Sequence, residues 1–98
     1  MSFTTRSYKN IPEGKADYNS QEIIDKLAEL TNSGDFISRT SSISNGITTV
    51  TSTWKNFNSF RNYQFWRNIS GESSKAEAYR QANGITITYE EHEEWNQP

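Results

Sequence analysis

His92 stands among four glutamates, Glu90, Glu91, Glu93 and Glu94. Carboxylates around an imidazole raise its pKa and offer oxygens to a divalent cation. A metal site needs several ligands held in a fixed geometry, whereas this run belongs to a polar terminal stretch, HEEWNQP, that reads as a solvated acidic tail. No metal and no cofactor are therefore expected. Nucleophilic chemistry finds no foothold either: there is no cysteine, no serine in a nucleophile-elbow pattern, no P-loop and no G-x-G-x-x-G run. Asp17, Asp25 and Asp35 remain as acids for proton transfer, with Asp25 on the wet face of a helix and Asp35 just past its end. No residue is assigned a catalytic role, and binding is expected ahead of catalysis.

The second concentration of chemistry is TSTWKNFNSFRNYQFWRN, residues 51–68, which places six aromatic side chains from Trp54 to Trp66. Trp54, Phe57, Phe60, Tyr63 and Trp66 recur every three residues, so on a helix of 3.6 residues per turn each step drifts by about 60°. One stripe cannot hold them. Phe65 and Trp66 point about 100° apart, and a helix so decorated exposes at least one ring unless a neighbour covers it. Arginines beside rings suit protein interfaces, where aromatic groups displace water and guanidinium satisfies polar neighbours. They also suit single-stranded nucleic acid, but a net charge of −2 gives little reason to expect that partner. Phe60, Arg61, Tyr63, Phe65, Trp66 and Arg67 are accordingly the candidate interface, with Phe60 and Tyr63 divided between interface and core. Trp54 and Phe57 belong first to the core and, with Tyr79, are the candidate lining of a cavity.

The elements that position these groups must fit into one domain, since 98 residues leave no room for two cores. A hydrophobic fraction of 32% without disulfides is a modest supply of core, which favours a core shared between subunits. Residues 70–98 carry two basic against six acidic side chains, making the C-terminal end acidic. No apolar run approaches the roughly 20 residues that cross a bilayer, and the N-terminus lacks the apolar stretch of a signal peptide, so a cytoplasmic location or a particle assembled there is expected.

MSFTTRSYKN reads as a first strand at a sheet edge, because neither face is decisively apolar. IPEGKAD is a connector. Asn19 as N-cap with Glu22 three residues on forms a capping box, Tyr18 is placed to staple Ile23, and Ile23, Ile24, Leu27 and Leu30 make an apolar stripe that ends at Asn32, Ser33 and Gly34. Asn45-Gly46 is a two-residue hairpin turn. It pairs Ser44 with Ile47, Ile43 with Thr48, Ser41 with Val50 and Ile37 with Trp54, which gathers Ile37, Ile43, Val50 and Trp54 on one face. A helix follows Trp54, and GESSKAEAYRQANGI supplies another, capped by Ser70 or Ser73 and ended by Gly84 with Ile85 in hydrophobic contact. ITITYEE is a last strand with Ile85, Ile87 and Tyr89 on one face.

This order predicts an α+β fold, a ferredoxin-like split βαβ sandwich with an antiparallel sheet and helices on one face. Residues 1–89 form the domain and 90–98 the acidic tail. The strand ending TVTSTW, followed directly by KNFNSF, resembles the strand-to-helix step of dimeric α+β-barrel proteins related to the antibiotic-biosynthesis monooxygenases, over residues 36–65. That resemblance implies paired ferredoxin-like subunits and a cavity between sheet and helices for an aromatic compound or haem. No histidine lies within the matched stretch to ligate a haem, since His92 falls beyond the last expected strand. The wealth of Asn, Ser and Thr is similar to that of short tailed-bacteriophage proteins. The leading expectation is a non-enzymatic interaction or structural protein that forms a homo-oligomer, as a virion or accessory component. The alternatives are a small-molecule-binding protein or cofactor-independent monooxygenase-like enzyme with an aromatic-lined cavity, and a single-stranded nucleic-acid binder.

Overall fold

In the computed structural model, which describes residues 2–95 and of 91–95 only the backbone, the chain runs β1 (Ser2–Asn10), α1 (Gln21–Ser33), β2 (Phe36–Ser44), β3 (Ile47–Trp54), α2 (Phe57–Ile69), α3 (Glu72–Asn83) and β4 (Thr86–Trp95). The four strands make one antiparallel sheet in the order β2-β3-β1-β4, with helices packed against it. The fold is thus mixed α+β. Residues 90–95, expected as tail, continue β4 along β1 as far as the pairing of Ser2 with Trp95; residues 96–98 lie outside the described part.

β1 is not an edge strand. It lies between β3 and β4 and pairs with β4 from Ser2 and with β3 from Phe3, in both cases to Asn10, so two hydrogen-bonded ladders hold a strand whose side chains are mostly polar. Its one large apolar group, Phe3, is buried and meets the rings of Phe57 at 5.1 Å and Phe60 at 5.2 Å. Trp54, 1% exposed, sits opposite Phe3 on β3 and packs on Phe36 at 4.9 Å, Tyr63 at 4.9 Å and Phe60 at 5.8 Å. Each such buried ring contributes about 1.5–3 kcal/mol relative to exposure. Leu27, Leu30 and Trp66 pack around this cluster.

Turns and caps follow local chemistry. Asn45 has φ of 53° and Gly46 of 77°, the positive values that a two-residue turn requires, and Ser44, Ile43 and Ser41 take the expected partners. Near its start, however, β2 carries a bulge between Phe36 and Ser38, which makes Phe36 rather than Ile37 the partner of Trp54. Ile37 is the extra residue and is 55% exposed; Ile43, at the far end of the same strand, is 75% exposed. A second irregularity sets Tyr8 opposite Tyr89 but Lys9 opposite Ile87. Ile87 and Tyr89 therefore part company: Ile87 shares the helix side with Lys9, while Tyr89 rests on Tyr8 at 5.7 Å on the opposite side.

The cap of α1 is Ser20, one residue later than expected; its Oγ accepts from the N–H of Ile23 at 3.2 Å. The same hydroxyl donates to Glu72, a carboxylate buried at the start of α3. Tyr18 donates to Glu72 at 2.9 Å instead of serving only as a staple, and Lys75 stands 3.4 Å away. This junction explains the displaced cap: Ser20 satisfies a helix amide and a buried charge together. Hydrogen bonds from Ser20, then Tyr18 and Lys75, outweigh the effect of burial and hold the Glu72 pKa below the usual glutamate value. α3 has no side-chain cap; its N-cap is Gly71, and Ser70 closes α2 instead while accepting from the Glu72 N–H at 3.4 Å. Ile24 leaves the expected α1 stripe and is 44% exposed, whereas Ile23 is buried.

Candidate ligand-binding cavity

The helix side of the sheet has two unlike halves. At one end Phe3, Phe36 and Trp54 receive the rings of α2. Moving along β1 and β3, the same side carries Thr5 opposite Ser52 and Ser7 opposite Val50, groups too small to fill the space under the helices. The result is a cavity of about 620 Å³, within the common range for small-molecule sites. Its floor is Thr5, Ser7, Val50 and Ser52, with Ile87 beyond; Trp54, Phe60, Tyr63, Ile23 and Ala76 border it but are almost wholly buried among their neighbours.

Around this space stand four basic side chains, Lys9, Arg39, Arg67 and Arg80, and two acidic ones, Asp17 and Glu90. Lys9 and Asp17 neutralise one another at 2.5 Å, and Asp17 also accepts from the Tyr18 N–H at 2.9 Å. Arg39 donates its Nε–H to Ser52 at 2.8 Å and lies over the Phe36 ring. Arg67 lies over the Tyr63 ring, 6.0 Å from its centre. Among the described residues neither Arg67 nor Arg80 has a carboxylate partner.

Among the described residues three buried side-chain polar atoms have no hydrogen-bond partner: Trp54 Nε1, Tyr63 Oη and Arg67 Nε. All three belong to residues of the cavity wall. They are also neighbours, since the Trp54 and Tyr63 rings are 4.9 Å apart and Arg67 lies over Tyr63. Leaving a buried donor unsatisfied costs about 1–3 kcal/mol, so three at one place is a costly arrangement for packing alone.

The candidate interface residues divide. Phe60 and Tyr63 turn into the core of their own chain, because α2 lays them over Phe3 and Trp54. Trp66 is half-buried, stacked on Tyr63 at 5.9 Å and covered by the Lys26 ammonium at 5.6 Å. Arg67 joins the cavity wall. Arg61 stays outside, over the Phe57 ring, and Phe65 is 65% exposed. Of the candidate cavity residues Trp54 lines the space, but Phe57 and Tyr79 do not. Phe57 meets Phe3 edge-on at the filled end, and Tyr79 uses its hydroxyl on the Ala16 carbonyl at 2.8 Å while its ring packs against Tyr18.

Sequence reasoning missed Thr5, Ser7, Lys9, Arg39 and Ser52. The available signal was the alternation of small hydroxyl residues on β1 and β3, which reads as a wet face until the register puts it beneath helices. Of the expected acids, Asp17 borders the cavity, Asp25 bonds Gln21 in solvent, and Asp35 joins the end of α1 to α2 by accepting from Ser33 and Ser59. Those bonds, from Ser33 first, hold the Asp35 pKa below its usual value. The side chains of His92 and of Glu91, Glu93 and Glu94 lie outside the described part of the structure. Among the described residues no group of three or more His, Cys, Asp or Glu is placed to hold a metal ion, and no helix is long and apolar enough to cross a membrane. No protein-family model, curated protein or solved structure matches this chain.

Proposed function

We propose that this chain is a small-molecule-binding protein of ferredoxin-like, split βαβ topology, and that its ligand lodges between the sheet and the helices. The strand order β2-β3-β1-β4, antiparallel throughout, supports the topology. The observation that carries the function is the cavity of about 620 Å³, bordered by Trp54, Phe60 and Tyr63. A domain short of apolar residues gains stability by filling such a space, so leaving it open beside the core calls for an occupant. Planar aromatic probes such as 2-naphthamide should shift NMR resonances of Val50, Ala76 and Ile87. Val50→Phe, which extends a side chain from the floor into the space, should abolish those shifts while the fold persists. Unchanged binding by a folded Val50→Phe variant would place the site elsewhere.

A second reading, a homo-oligomeric interaction protein, is favoured by Phe65 and Ile69, which are 65% and 67% exposed at the outer end of α2. Apolar groups so placed are suited to a symmetric contact with a second copy. Light scattering over a concentration series tests it, and a monomer at tens of micromolar would remove it.

A further inference from the structure

We infer that β2 is a docking edge for a second copy of this chain, the two β2 strands pairing antiparallel about a two-fold axis at Thr40. The sheet ends in β2 on one side and β4 on the other. β4 carries Glu90, Glu91, Glu93 and Glu94 within Thr86–Trp95, so a second β4 laid beside it meets like charge. β2 lacks such protection. Its sequence, FISRTSSIS, holds no proline, no lysine and a single charge, Arg39, and every residue after Phe36 is exposed. Two of them, Ile37 and Ile43, are large apolar groups left in water.

The ladder to β3 fixes which backbone groups of β2 are free. The turn closes on Ser44 and Ile47 as a hydrogen-bonded pair, and bonded pairs alternate, so Ser42 and Thr40 also spend their groups on β3. Ile43, Ser41 and Arg39 turn theirs outward. A two-fold axis at Thr40 sets Arg39 opposite Ser41 of the second copy, outward groups against outward groups, and sets Ile37 opposite its Ile43. Moving the axis to Arg39 brings two guanidinium groups together, and moving it to Ser41 sets Arg39 against Ile43. Only the Thr40 axis joins isoleucine to isoleucine and keeps the arginines apart. The bulge beside Ile37 touches the outermost of these pairs alone, because pairing is regular from Ser38 to Ser44. Arg39, Thr40 and Ser41 also border the cavity, so the second copy stands along its β2 side. This contact is separate from the exposed Phe65 and Ile69 of α2. So short a paired segment falls below the roughly 1,200 Å² of a stable complex, which sets association on the order of tens of micromolar and leaves the dilute monomer's stability unchanged.

Sedimentation velocity from about 5 to about 500 μM should show a monomer–dimer equilibrium, and amide exchange at Arg39 and Ser41 should slow as the dimer fills. Thr40→Lys and Thr40→Glu place like charges face to face at the axis; each should weaken the dimer about fivefold, and an equimolar mixture of the two should recover it. Phe65→Ser should leave it unchanged. A monomer throughout the range would overturn the inference together with the homo-oligomer reading. A dimer that both Thr40 variants leave intact and Phe65→Ser weakens would overturn the β2 contact and keep the one through α2. Exchange needs no variant: Arg39 and Ser41 amides that stay unprotected in the dimer would overturn the β2 contact as well.

Discussion

Tyr63→Phe and Tyr79→Phe delete the same atom from two rings, and the structure predicts opposite signs. Tyr63 Oη is buried without a partner, and its ring keeps its contacts with Trp54 and Trp66 when the oxygen is removed. The unliganded protein is therefore relieved of an unsatisfied hydroxyl, a penalty of about 1–3 kcal/mol, and should gain on the order of 1 kcal/mol. For a domain of this size that is a rise in Tm of about 4–8 °C. Tyr79 Oη donates to the Ala16 carbonyl at 2.8 Å, so its removal should cost about 0.5–1.5 kcal/mol. Urea unfolding followed by circular dichroism measures both, with an unchanged slope showing that the midpoint alone has moved. A loss of 1 kcal/mol or more in Tyr63→Phe would show that the hydroxyl is satisfied in solution and would refute the reasoning.

Because the Glu72 pKa is lowered in the fold, its contribution to stability is complete above the unfolded glutamate value of about 4.3 and is lost as pH falls through the lower folded value. Glu72→Gln should flatten the acid limb of urea midpoints measured from about pH 5 to about pH 3; an identical slope would mean that this carboxylate is not held in its charged form. Some slope should persist, since Asp35 is lowered too. Ile37→Ser and Ile43→Ser, at exposed sites of β2, should each change stability by no more than about 0.5 kcal/mol, and a cost above 2 kcal/mol by chemical denaturation would show that another surface covers them.

Local signals in the sequence translated well where one residue type answers one need. Asn45-Gly46 made the turn, Gly34 at φ of 84° closed α1 with its N–H on the Thr31 carbonyl, and Gly84 ended α3 ahead of a buried Ile85. Faces were misread where register slips. Alternation assumes an unbroken ladder, and the irregularities beside Ile37 and Thr88 reverse which side chains point inward. Ser20 displaced Asn19 as cap because Glu72, distant in sequence, needs the hydroxyl. β1 looked like an edge because its inward residues after Phe3 are polar, and that polarity belongs to the cavity floor. The site was legible only in part: Trp54 and Arg67 stood out by type, but nothing in residues 51–68 alone reveals that they meet across an unfilled space.

The central position of β1 also has a consequence for biosynthesis. β1 leaves the ribosome before both strands that supply its hydrogen bonds, β3 and β4, up to the pairing of Ser2 with Trp95. At about 5–20 residues per second, that leaves its amides waiting roughly 5–20 s for the final neighbour. The nascent chain, rather than the finished domain, is the stage most open to mistaken strand pairing with other chains, and slowing translation before β4 should lengthen that exposure.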